Sequence, residues 1–90
     1  MNFLKKIAVK VVLSLYLKFE KSIWRIVAES YKTRLGKCGK NVKFNGKIFI
    51  SRPELLEIED NVHIGHNASI LSGGKVYIGA NTHIGPNLVI

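Results

Sequence analysis

Residues 58 to 90 read IEDNVHIGHNASILSGGKVYIGANTHIGPNLVI, and the isoleucines of that stretch decide the fold. Ile58, Ile64 and Ile70 stand six apart, Ile78, Ile84 and Ile90 do the same, and the second triplet follows the first by twenty residues. The phase extends back through Cys38, Phe44 and Ile50 as the hexads CGKNVK, FNGKIF and ISRPEL, after which Leu56 and Glu57 are two extra residues. IEDNVH, IGHNAS and ILSGGK follow, then a second extra pair, Val76 and Tyr77, then IGANTH, IGPNLV and Ile90. Position one is apolar nine times, which a 47% apolar composition gives by chance about once in a thousand before allowance for the choice of phase. Asparagine takes position four at Asn41, Asn61, Asn67, Asn81 and Asn87, and Gly73 takes it once more.

One inward apolar residue in six, with a residue tolerant of positive φ between, describes short strands that turn a corner after each hexad. Three hexads close one triangular coil, and a period of twenty stacks Ile58 beneath Ile78, Ile64 beneath Ile84 and Ile70 beneath Ile90. The expected core is therefore Ile50, Ile58, Ile64, Ile70, Ile78, Ile84 and Ile90, with the five asparagines at the turns. Position five (Val42, Ile48, Val62, Ala68, Thr82, Leu88) is a second inward site, and position six (Lys43, His63, His83) faces out. The extra pairs and Gly73-Gly74 are expected to project at one corner. Arg52-Pro53-Glu54 is the least regular part of the repeat. Cys38 falls at an inward position and reads as a small buried hydrophobe.

Charge divides the chain of 90 residues. Residues 1 to 45 carry eleven bases and two acids, residues 46 to 90 three bases and four acids, so the net charge of +8 belongs to the front half. From Phe3 to Tyr31 there is no glycine or proline, and Lys10, Ser14, Lys18, Lys21, Arg25, Glu29 and Lys32 recur at helical spacing. Leu4, Ile7, Val11, Leu15, Phe19, Ile23, Ile26 and Val27 form the opposite stripe, with Tyr16, Trp24 and Tyr31 at its edges. Residues 1–34 thus read as a basic amphipathic helical segment, either unbroken or interrupted near Glu20 to Ser22 with Ser22 capping a second helix. Its apolar face has two readings, docking on the rest of the chain or on a partner subunit, and peripheral contact with an anionic membrane surface. Residues 35–90 offer no basic aromatic platform, so nucleic acid is not an expected partner. The apolar run Val11 to Leu17 is too short to span a bilayer, Lys10 interrupts a signal-like region, and a single cysteine fits a reduced compartment. The expected location is cytoplasmic, peripheral on the inner membrane face.

The repeat from Cys38 to Ile90 resembles the hexapeptide-repeat acyltransferases, and Gly73 to Ile90, GGKVYIGANTHIGPNLVI, is similar to the segment leading into the active site of sugar and polysaccharide O-acetyltransferases. The resemblance implies a mainly β fold, with the N-terminal α-helix followed by a left-handed parallel β-helix of about two and a half coils over residues 35–90. It further implies transfer of an acetyl group from acetyl-coenzyme A to a sugar hydroxyl in surface polysaccharide biosynthesis, on a free or lipid-linked glycan acceptor, in a cleft between subunits of a homotrimer. In that family a histidine general base follows the segment matching Ile84 to Ile90. The catalytic residue is therefore expected downstream of Ile90, and the chain reads as a truncated, inactive form.

Within the chain, His63 and His83 share position six of equivalent hexads and are expected to stack about 4.8 Å apart. With Asn81 they are the candidates for the wall of the substrate or coenzyme cleft, against the alternative that NxH merely propagates on a surface. His66 sits nearer a corner and reads as structural. Glu59 and Asp60 read as solvated. A non-catalytic β-helix module, binding membrane or partner through its helix, is the alternative function. A γ-class carbonic anhydrase relative is a minor one, since H-x2-H departs from that family's H-x4-H; no metal is expected.

Overall fold

The computed structural model describes residues 2–90. Asn2 holds an extended backbone, and its Oδ1 accepts from the Lys5 amide at 2.8 Å, which satisfies one of the orphan donors of the first helical turn. Helix α1 (Phe3–Lys32) then runs for 30 residues. It does not break near Glu20 to Ser22, because the Ser22 hydroxyl donates to the Lys18 carbonyl within the helix at 3.1 Å and caps nothing.

Short strands follow: β1 (Lys37–Cys38), β2 (Lys43–Phe44), β3 (Ile48–Ile50), β4 (Leu56–Ile58), β5 (His63–Ile64), β6 (Ala68–Ile70), β7 (Val76–Ile78) and β8 (His83–Ile84). They form three parallel sheets, β1-β4-β7, β2-β5-β8 and β3-β6, the last extended by a bridge from Ser69 to Val89. Every ladder joins residues twenty apart: Cys38 to Ile58 to Ile78, Phe44 to Ile64 to Ile84, and Ile50 to Ile70. The architecture is one N-terminal helix followed by a β-helix-like stack of parallel strands in three sheets.

In the regular hexads strands occupy positions five, six and one, and positions two to four make the corners. Asn41, Asn61, Asn67, Asn81 and Asn87 all sit at φ between 57° and 65°, the left-handed region that asparagine tolerates better than β-branched residues. Their side chains also stack: Asn41 Nδ2 donates to Asn61 Oδ1 at 2.8 Å, Asn61 to Asn81 at 2.9 Å, and Asn67 to Asn87 at 2.9 Å. Two corners therefore carry continuous amide ladders along the stack. At the corner of Asn67 and Asn87, position two requires glycine for a different reason. A Cβ on Gly65 would lie 2.6 Å from the Gly85 carbonyl carbon of the next coil.

The extra pairs do not project. Leu56-Glu57 and Val76-Tyr77 lie in β4 and β7, paired with each other, and Leu56 is fully buried. The longer corner is instead formed by residues 51–55, which include a short 3-10 turn (Pro53–Leu55), and residues 71–75 with Gly73-Gly74. Proline at the start of that turn explains why the hexad loses its regularity, since Pro favours a first helical position and offers no amide to a ladder.

Ile48, Ile50, Leu56, Ile58, Val62, Ile64, Ala68, Ile70 and Ile78 form the core with Val42 and Ala28. Two members of the expected column fall short. Ile84 is half-buried and Ile90 remains 42% exposed, because no strand pairs on the far side of the last coil. Ile78, in the same coil, is nonetheless buried at 7% exposure. Cys38 is likewise exposed rather than buried: β1 is an edge strand, and its position-one side chain has only Ile58 as a stacking neighbour.

Helix α1 docks on the first coil by its last turns. Ala28 enters the core, Tyr31 packs against it, and Trp24 and Val27 are half-buried beside it. Lys32 lies over the Phe44 ring and Lys47 over the Trp24 ring, at 5.7 and 5.2 Å from the centroids, so cation–π contacts frame the junction. An end coil needs a cap, and α1 supplies it on the β2–β3 side.

Candidate functional site

Parallel in-register strands place identical hexad positions in rows. On β2-β5-β8 the outward row is Lys43, His63 and His83. The His63 and His83 rings stack with centroids 4.3 Å apart and planes 5° from parallel, closer than the strand spacing alone would set. His63 is the covered member. Its Nε2 is inaccessible to solvent and has no hydrogen-bond partner among the described residues. Burial pushes the His63 imidazole below its ordinary value of 6.5, and the neighbouring His83 and Lys43 cations add to that shift. Asn81 stands at the corner just before β8, accepting from Asn61. The three cleft candidates therefore occupy one sheet and its adjoining corner. Chemically, the row presents a neutral imidazole at pH 7, which can take a proton from a hydroxyl or accept a hydrogen bond from one.

A histidine whose folded form resists protonation makes the protein more stable where that histidine is neutral. As pH falls below about 6.5 the unfolded chain takes up the proton first, so stability should decline with falling pH until the depressed folded value is passed. An NMR titration should find His63 below 6.5, and replacing His83 with glutamine should move it upward by removing a neighbouring imidazole that opposes its protonation. A His63 midpoint at or above 6.5 would contradict the stacked geometry.

The neighbouring sheet β1-β4-β7 is a row of ties rather than a reaction site. Lys37 Nζ lies 2.7 Å from Glu59 Oε1, the Tyr77 hydroxyl donates to the same oxygen at 3.2 Å, and Lys75 pairs with Glu57 at 3.1 Å. The Lys37 contact holds the Glu59 carboxyl below the usual range. Asp60 Oδ1 accepts the Lys40 amide at 2.7 Å and so joins two coils. Asp60 is exposed and Glu59 partly so, and both carboxylates also tie the scaffold together. The Cys38 thiol, exposed on the edge strand but partly desolvated by its neighbours, is pushed up rather than activated. Among the described residues no three His, Cys, Asp or Glu side chains are grouped to hold a metal.

A second concavity was not anticipated. Where α1 crosses the corner at Asn45–Lys47, a groove of about 720 Å³ opens, lined by Lys21, Trp24, Arg25, Phe44, Lys47 and His66 among others. His66 does not join His63 and His83. It lies against Gly46, whose absent Cβ would come within 2.6 Å of His66 Nδ1 and whose φ is +128°. Nothing local in the sequence marks this groove, because it arises from the angle at which a helix meets a coil. The one signal was the placing of Trp24 at the edge of the helical stripe. No known protein family, curated protein or solved structure matches the chain.

Proposed function

We propose that this chain carries the left-handed parallel β-helix of the hexapeptide-repeat acyltransferases, and that it serves transfer of an acetyl group from acetyl-coenzyme A to a sugar hydroxyl. The observation that supports this reading is the twenty-residue register of three sheets with asparagine at left-handed φ on its corners. Strands of two or three residues joined by such corners suit a narrow triangular coil. The Lys43, His63 and His83 row, with Asn81, forms one wall of the cleft, and a second and third copy of the chain supply the others. In the reaction the sugar oxygen loses its proton to a near-neutral base and forms a bond to the thioester carbonyl carbon. The carbon–sulfur bond then breaks, and coenzyme A leaves as thiolate to be protonated. His63 and His83 orient the acceptor hydroxyl; the general base is not assigned among residues 1–90.

Thiol release from acetyl-coenzyme A, assayed on the purified protein, should depend on an added sugar acceptor. The double change His63→Gln and His83→Gln should lower that rate about tenfold, the loss of one or two hydrogen bonds of about 1 kcal/mol each. Absence of any acceptor-dependent thiol release across hexoses and amino sugars would sink the reading.

A further inference from the structure

The helix buries the wrong side of itself for a simple core element. Trp24, Val27, Ala28 and Tyr31 face the coils, whereas Leu4, Val11, Leu15, Phe19 and Ile26 are all more than half exposed. At about 100° per residue the two sets lie on roughly opposite sides of α1. The exposed set runs from the first turn of α1 to the seventh, and most of α1 stands clear of the coils, since every residue from Phe3 to Phe19 is exposed. An apolar stripe of this length is not left in water without an occupant.

We propose that this stripe is an interfacial anchor that lies flat on an anionic lipid surface, with the coils held on the far side of the helix. Charge selects the occupant. Lys5, Lys18 and Arg25 border the stripe, and the segment Phe3–Phe19 contains no acid. A second copy packed stripe to stripe would bring two such cationic rows together with no acid on that segment to neutralise them, whereas anionic headgroups neutralise both. The apolar arc is also wider than a coiled-coil seam, with Val9, Val12 and Tyr16 exposed beside it. Among the described residues no helix is long and apolar enough to cross a membrane, and an in-plane helix requires neither property. The inference stands apart from the acyl-transfer reading, since it uses only α1.

Vesicle flotation separates the possibilities. The protein should float with phosphatidylcholine vesicles that contain phosphatidylglycerol and stay behind with phosphatidylcholine alone, and added salt should weaken the association. Leu15→Glu with Phe19→Glu should lower binding by at least about tenfold while the circular dichroism spectrum is unchanged, because neither side chain touches the coils. Lys5→Gln with Lys18→Gln should weaken binding to the anionic vesicles by about thirtyfold, at about 1 kcal/mol for each charge. Equal binding to neutral and anionic vesicles would overturn the proposal. So would sedimentation, without lipid, as an oligomer that the Leu15→Glu and Phe19→Glu changes dissociate. Failure here leaves thiol release untouched, and failure of thiol release leaves flotation untouched.

Discussion

Replacing Ile64 with alanine is expected to destabilise the protein by about 4 kcal/mol, measured as a loss of urea-unfolding free energy. Ile64 is fully buried in the central strand of β2-β5-β8, between Phe44 and Ile84. The missing methylenes leave a cavity that the coil cannot close, because the stacking distance is set by backbone ladders rather than by side chains. A domain of this size has a total stability of about 5 to 15 kcal/mol, so the variant should lie near its unfolding threshold at room temperature. Ile84→Ala supplies the internal comparison. It removes the same atoms one coil further on, where the side chain is only half-buried, and should cost about 1 to 2 kcal/mol. Equal losses at the two positions would mean that the stack is not packed as described.

The second large effect lies at a corner. Asn61→Val should cost about 2 to 3 kcal/mol from two separable sources. Asn61 holds φ at 57°, where a β-branched residue is penalised by about 1 to 2 kcal/mol. Its amide also donates to Asn81 and accepts from Asn41, and losing those two exposed hydrogen bonds costs about 1 kcal/mol together. Asn61→Gly keeps the backbone conformation and gives up only the amide, so it should cost about 1 kcal/mol. A glycine variant as damaged as the valine variant would shift the cost onto the ladder and away from the backbone.

These residues also mark how far the sequence could be read. The phase of Ile58, Ile64 and Ile70 against Ile78 and Ile84 was legible because a stacked coil repeats one chemical demand at one spacing, and the ladders join those positions. Position four was legible because few residues accept positive φ without strain. The placing of the extra residues was not: Leu56 is apolar enough for a strand, and Pro53 marks the true corner three residues earlier. The ends misled for another reason. Periodicity cannot say which repeat lacks a neighbour, so Cys38 and Ile90 look as inward as Ile64 and yet are exposed.

The helix shows the deepest limit. Its periodic apolar stripe, Leu4 through Ile26, is real, but Ala28 and Trp24 on another side do the docking. A pattern identifies the side that avoids water and does not identify what covers it. The stacked pair of His63 and His83 followed from the period; the unpartnered Nε2 that sets its chemistry followed from packing. The groove beside Trp24 required the helix crossing angle, which no run of residues specifies.

The uniform register has a kinetic meaning as well. Each strand pair closes a loop of the same twenty residues, so no late contact demands a longer search than an early one. The first pairing, between residues 37–50 and 57–70, is the costly nucleus, and later coils add to a template already in place. Such a chain can zip from its N-terminal side as it leaves the ribosome, each coil becoming able to fold once twenty further residues have emerged.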